Sequence, residues 1–167
     1  GILTLEFPEG ALPEDTEISL TRIGRFEPVD IMIGTHAGQG NSIAEYNIEP
    51  DGLEFGVPVI LTMTVDVTEM NQNQRERPNI YLYTDTNGDG VQDTFIPLPD
   101  EQILEVVTTE NPDGTVVMTF TVELEHFSIY AIILPIEDDN DTTPPDVEIV
   151  FPQANLIVQG GFNFVAQ

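Results

Sequence analysis

This sequence predicts an all-β fold, an antiparallel β-sandwich of about nine short strands, and three observations carry that expectation. Apolar residues recur at every second position in run after run, which is the period of a half-buried strand. Clusters of Gly, Pro, Asn and Asp separate these runs as turn signals. No stretch repeats with the period of an amphipathic helix, so any helix is limited to a turn or two near residues 66 to 72.

The elements follow in chain order. Leu3, Leu5 and Phe7 share one face of a first strand over residues 2 to 7, with Thr4 and Glu6 on the other. Pro8 to Pro13 reads as a turn, and Ile18 and Leu20 open the next strand. Residues 34 to 42 (G-T-H-A-G-Q-G-N-S) lack periodicity and are rich in glycine, which predicts a mobile loop. Ile43 to Ile48 is a strand, ended by the turn at Pro50-Asp51-Gly52. From Pro58 to Asp66 the alternation is regular, with Val59, Leu61, Met63 and Val65 inward and Thr62 and Thr64 outward. Residues 69 to 78 form a polar connection. Asn79 to Tyr83 and Thr94 to Pro97 are sequential strands joined through an Asp-rich loop. Residues 103 to 109 and 115 to 124 make a hairpin around Asn111-Pro112-Asp113-Gly114, its second arm turning Val116, Met118, Phe120, Val122 and Leu124 inward. Ser128 to Leu134 is the last strand of a first domain covering residues 1 to 136.

The composition changes at Glu137. Residues 137 to 146 (E-D-D-N-D-T-T-P-P-D) are acidic and punctuated by proline, as an interdomain linker is. Residues 147 to 167 then resume alternation at Val147, Ile149 and Phe151, and Leu156 to Val165 supplies one or two further strands. Some twenty residues cannot bury a core by themselves. This tail is therefore expected either to begin a second domain or to pair as a strand with a neighbour. The chain begins at Gly1 inside an apolar-alternating run, so it is read as a piece of a longer precursor.

Charge narrows the partners. Thirty Asp and Glu face four Arg, with no Lys, for a formal net charge of -26. Such a surface repels nucleic acid, whose binding depends on Lys and Arg at phosphates, and it repels anionic lipid. Divalent cations are its natural counter-partners. There is no cysteine, hence no disulfide and no thiolate metal site. No apolar run is long enough for a membrane-spanning helix, so no direct membrane insertion is expected in this segment.

The most specific motif is D-T-N-G-D-G-V-Q-D at residues 85 to 93. Asp85, Asn87, Asp89 and Asp93, with the carbonyl of Val91, could surround a Ca²⁺ ion, which takes six to eight oxygens from a tightly wound backbone. Gly90 permits the sharp turn. The twelfth position is Ile96, so the bidentate Glu of an EF-hand is absent, and the spacing is closer to the loops of thrombospondin-like and dockerin-like repeats. The same residues also suit a plain hairpin turn, and both readings stand. The linker carboxylates Glu137 to Asp141 likewise read as a second ion clamp or as a solvated charge run.

Three motifs, in order, carry a family resemblance: L-E-F-P-E-G-A-L-P at 5 to 13, N-I-E-P-D-G-L-E-F-G-V-P-V at 47 to 59, and E-H-F-S-I-Y-A-I at 125 to 132. On these, residues 1 to 136 resemble the ZU-five family, the β-sandwich shared by zonula occludens protein, netrin receptors and ankyrins and present in microbial surface proteins. The family's usual strand or two ahead of the first motif is missing here. The tail, T-P-P-D-V-E-I-V-F-P followed by Gly160-Gly161, resembles the opening of a bacterial immunoglobulin-like repeat. The resemblance implies a secreted or cell-surface multidomain protein with a non-catalytic structural or adhesive role. Its implied partners are neighbouring domains of the same or identical chains and cell-surface or matrix ligands. A filament or surface layer built by strand addition through the tail is the alternative. Some animal members cut their own chain between Phe and Ser, which makes His126, Phe127 and Ser128 a candidate self-cleavage site, with Ser128 as nucleophile and His126 as base. The other reading is that Phe127 anchors the core and Ser128 opens a strand. No further catalytic set stands out: His36 has no visible partner in sequence, and no pair among the many carboxylates is singled out.

Overall fold

In the computed structural model, residues 2–25 and 27–136 are described, and they belong to one unit, Gly1–Ile136. The linker and tail, with the expectations attached to them, lie outside the described residues.

The fold is all-β. Ten strands are present among the described residues: β1 (Ile2–Glu6), β2 (Ser19–Ile23), β3 (Val29–Ile33), β4 (His36–Glu49), β5 (Glu54–Asp66), β6 (Asn79–Thr84), β7 (Thr94–Pro97), β8 (Ile103–Glu110), β9 (Val116–His126) and β10 (Ile129–Pro135). Among the described residues helix is limited to one turn, α1 (Gln72–Arg75), and a 3₁₀ turn at Asp100–Gln102. The single turn of α1 falls just after the expected region because Asn71 caps it. The Asn71 side chain accepts from the Gln74 N–H, and the Gln74 side chain accepts from the Asn71 N–H.

Four strands form one antiparallel sheet in the order β1-β5-β9-β8. The other six do not form the second flat layer of a simple sandwich, which corrects the expected architecture. Their order is β10-β6-β7-β3-β4-β2, and β10 also pairs with β4. Strands β10, β6, β7, β3 and β4 thereby close into a five-strand barrel, with β2 attached to the far half of β4. The ring is antiparallel except at β3 and β7, which meet in parallel at Ile31 and Phe95.

Closure creates two cores. Between the sheet and the barrel lie Leu61, Met63 and Val65 of β5, the inward residues of β9, and Ala44, Tyr46, Ile48, Ile80, Tyr130 and Ile132 from the barrel wall. Inside the barrel lie Val29, Ile31, Tyr81, Phe95, Ala131 and Ile133. Strand β10 serves both, because successive side chains point to opposite faces: Tyr130 and Ile132 go one way, Ala131 and Ile133 the other.

The barrel also explains why residues 34 to 42 are not a loop. From His36 onward they are the first half of β4, paired with β3 through a tight turn at Gly34, whose φ is +62°. Their glycines are there for space. A Cβ on Gly40 would overlap Cγ2 of Ile133 and sit 3.1 Å from the carbonyl oxygen of Leu134. Glycine within a strand commonly marks such a close approach.

Candidate functional site

The 85–93 loop joins β6 to β7 and is closed at its base by the Asp93 N–H, which donates to the Thr84 carbonyl at 2.9 Å. Its side-chain oxygens are engaged with the loop's own backbone. The Asp85 carboxylate accepts from the N–H groups of Asn87, Gly88 and Gly90. Asn87 accepts from the Asp89 N–H and Asp89 from the Val91 N–H, each two residues on. Asp93 accepts from the Thr86 hydroxyl at 2.7 Å and from its N–H. Positive φ at Gly88 and Gly90 permits this winding, which would strain other residues. The hydrogen bonds stabilise ionised carboxylates. Asp85 is held below the ordinary carboxylate range, chiefly by the Gly90 N–H, and Asp93 chiefly by the hydroxyls of Thr94 and then Thr86. Among the described residues no three Asp, Glu, His or Cys side chains converge as a cation cage. The oxygens for calcium are thus present at one loop, where Asp85, Asn87, Asp89 and Asp93 hydrogen-bond the loop's own groups.

Phe127 and Ser128 lie between β9 and β10, both buried. The ring of Phe127 packs edge-on against Phe55 at 4.8 Å and Phe7 at 6.2 Å between centroids. The carbonyl oxygen of Phe127 accepts from the Gly52 N–H at 2.9 Å, and Nδ1 of His126 lies 3.1 Å from the same oxygen. Nucleophilic attack by Ser128 needs a base within reach of its hydroxyl. The hydroxyl instead accepts from the amide of Gln92 at 3.0 Å, while that amide also donates to the Tyr83 carbonyl. The structure therefore brings His126 to the carbonyl oxygen and Gln92 to the nucleophile. Gln92, inside the Asp-rich motif, connects the two sequence-derived candidates; an uncharged residue between aspartates gave no signal of that. His36 begins β4 opposite Ile33 and is exposed.

A third constellation was not foreseen. Glu45 of β4 is fully buried, and both of its carboxylate oxygens lie within 2.9 Å of Nε of Arg25. The guanidinium also sits over the Tyr83 ring, 5.9 Å from its centroid. Donation to Glu45 is the main cause that raises the Arg25 pKa above its ordinary value. Along β4, Ala44, Tyr46 and Ile48 face the four-stranded sheet, which puts Glu45 on the other face, the one a sandwich exposes. Only barrel closure buries that second face.

Compared with known proteins, the chain matches no family model, no curated protein and no solved structure.

Proposed function

We propose that residues 1 to 136 are a ZU-five-like, non-catalytic structural or adhesive module of a secreted or cell-surface protein, with Ca²⁺ stabilising the Asp85–Asp93 loop. The observation that most supports a non-catalytic role is that the described partner of the Ser128 hydroxyl is the Gln92 amide, a donor and not a base. The calcium part rests on the motif and on the loop's exposure: Asp85, Asn87, Asp89 and Asp93 sit at or near the surface, and Asp89 uses only one carboxylate oxygen in hydrogen bonding. Thermal unfolding in EGTA, in millimolar Ca²⁺ and in Mg²⁺ tests it. Selective binding to the native state adds RT ln(1 + [L]/Kd), about 1 to 2 kcal/mol for a site of millimolar or slightly tighter affinity. A Ca²⁺-specific rise that disappears in Asp89→Ala is the expected result. An equal rise with Mg²⁺, or an unchanged response in the variant, removes calcium from the reading.

One observation favours a second reading, a subunit of a filament or layer. Among the described residues strand β8 pairs only with β9, and it carries exposed Leu104, Val106 and Val107. Open apolar edges accept added strands. The uncharged segment 156 to 165 is the candidate donor from an identical chain. On this reading the full chain assembles with rising concentration in size-exclusion chromatography, and Val106→Lys keeps it monomeric. A parent chain that stays monomeric counts against strand addition.

A further inference from the structure

We propose that the open mouth of the five-strand barrel binds a neutral sugar unit, a site that goes beyond the function proposed above and borders the calcium loop at Asp93. A cavity of about 270 Å³ lies there, bordered by Arg25, Asp30, Gln39, Tyr83, Asp93 and Phe95. Barrel mouths are recurrent ligand sites, and this volume falls near the lower limit of about 300 Å³ for small-molecule pockets, so one sugar ring rather than a longer chain is the fitting size. The lumen beneath is filled by Phe95, Tyr81 and Ile133, which confines a ligand to the mouth.

The lining selects the chemistry. Arg25 binds Glu45 through Nε alone, and its two terminal amino groups have no hydrogen-bond partner among the described residues. Its guanidinium is nevertheless fixed, clamped between a fully buried carboxylate and the Tyr83 ring. A preorganised donor of this kind loses little freedom on binding. Asp30, Asp93 and Gln39 border the same cavity, Asp30 accepting from the Gln39 amide and Asp93 from Thr86, so the border supplies carboxylate acceptors and an amide that can do both. Hydroxyl groups donate and accept, so a polyol satisfies both sets at once.

Charge excludes the alternatives. Glu45 neutralises Arg25, and Asp30 and Asp93 leave the mouth negative, which opposes an anion. For an organic cation, the Tyr83 ring already carries Arg25.

The test uses the full ¹⁵N-labelled chain and four probes, the methyl glycosides of glucose, galactose, mannose and N-acetylglucosamine, with ammonium and Ca²⁺ as controls. The expected result is a saturable shift of the Arg25 Nε–H and Gln39 amide signals with at least one glycoside, at a Kd of about 1 mM, as suits so small a contact. The variant Asp30→Ala/Gln39→Ala removes two exposed rim groups that hydrogen-bond each other at 3.3 Å. It should weaken binding about tenfold or more; Gln39→Ala alone serves if the double variant loses its dispersed spectrum. The proposal is overturned if no glycoside shifts these signals, if only ammonium or Ca²⁺ does, or if the variants bind as the parent does.

Discussion

Replacing Phe127 by alanine lowers the stability of the unit by about 4 kcal/mol, read as a shift in the urea unfolding midpoint. The ring is fully buried, and it is the shared partner of Phe55 and Phe7. Truncating such a residue removes its transfer free energy and leaves a cavity, together about 3 to 5 kcal/mol. That is a large share of the roughly 5 to 15 kcal/mol that holds a typical domain folded. Ser128→Ala is the contrast. It removes one hydrogen bond from Gln92, a loss of about 1 kcal/mol. The parent chain, kept in solution and weighed by intact-mass spectrometry, should remain one species. A Phe127→Ala loss below about 1.5 kcal/mol would contradict the anchor role, and two fragments meeting between Phe127 and Ser128 would contradict the non-catalytic reading.

Arg25→Met is the second large effect, about 3 kcal/mol. Glu45 has no exposure, so removing its one charged partner among the described residues strands a carboxylate in the protein interior. Breaking a buried pair from one side costs about 3 to 5 kcal/mol. The lower end applies because the Arg25 side chain is 35% exposed, and water can partly replace it. The double variant Arg25→Met/Glu45→Leu separates this from lost packing. Well-packed apolar replacement of a buried pair is often neutral, so the double variant should lie within about 1 kcal/mol of the parent. If the two single losses simply add, the residues act independently and the buried-charge explanation fails.

The sequence was most informative where one face meets one core. Val59, Leu61, Met63 and Val65, and the five inward residues of β9, are buried as their alternation predicts. The β8–β9 hairpin likewise follows from its Asn-Pro-Asp-Gly turn. Legibility failed where a strand has two buried faces. In β4 both faces are interior, Ala44 and Tyr46 on one and Glu45 on the other, and Gly40, which looks like a loop residue, is demanded by Ile133 of the neighbouring β10. No local pattern reveals that, because it depends on β10, some ninety residues later, pairing back onto β4. The site shows the same division. The Asp-rich loop was visible because its turn chemistry is local, whereas the Arg25–Glu45 pair and the bond from Gln92 to Ser128 exist only through tertiary closure.

The double duty of β10 also orders events during synthesis. A ribosome delivers this unit from residue 1 onward, and until residue 135 has emerged the barrel lacks the strand between β4 and β6. Tyr130 and Ile132 are then missing from one core, and Ala131 and Ile133 from the other. The nascent chain can form its hairpins, since those contacts are local, but neither core can be completed before the last strand arrives. Folding is thus tied to the end of translation of the unit, and every shortened product stopping before β10 presents two unfinished apolar surfaces to the cell's quality control.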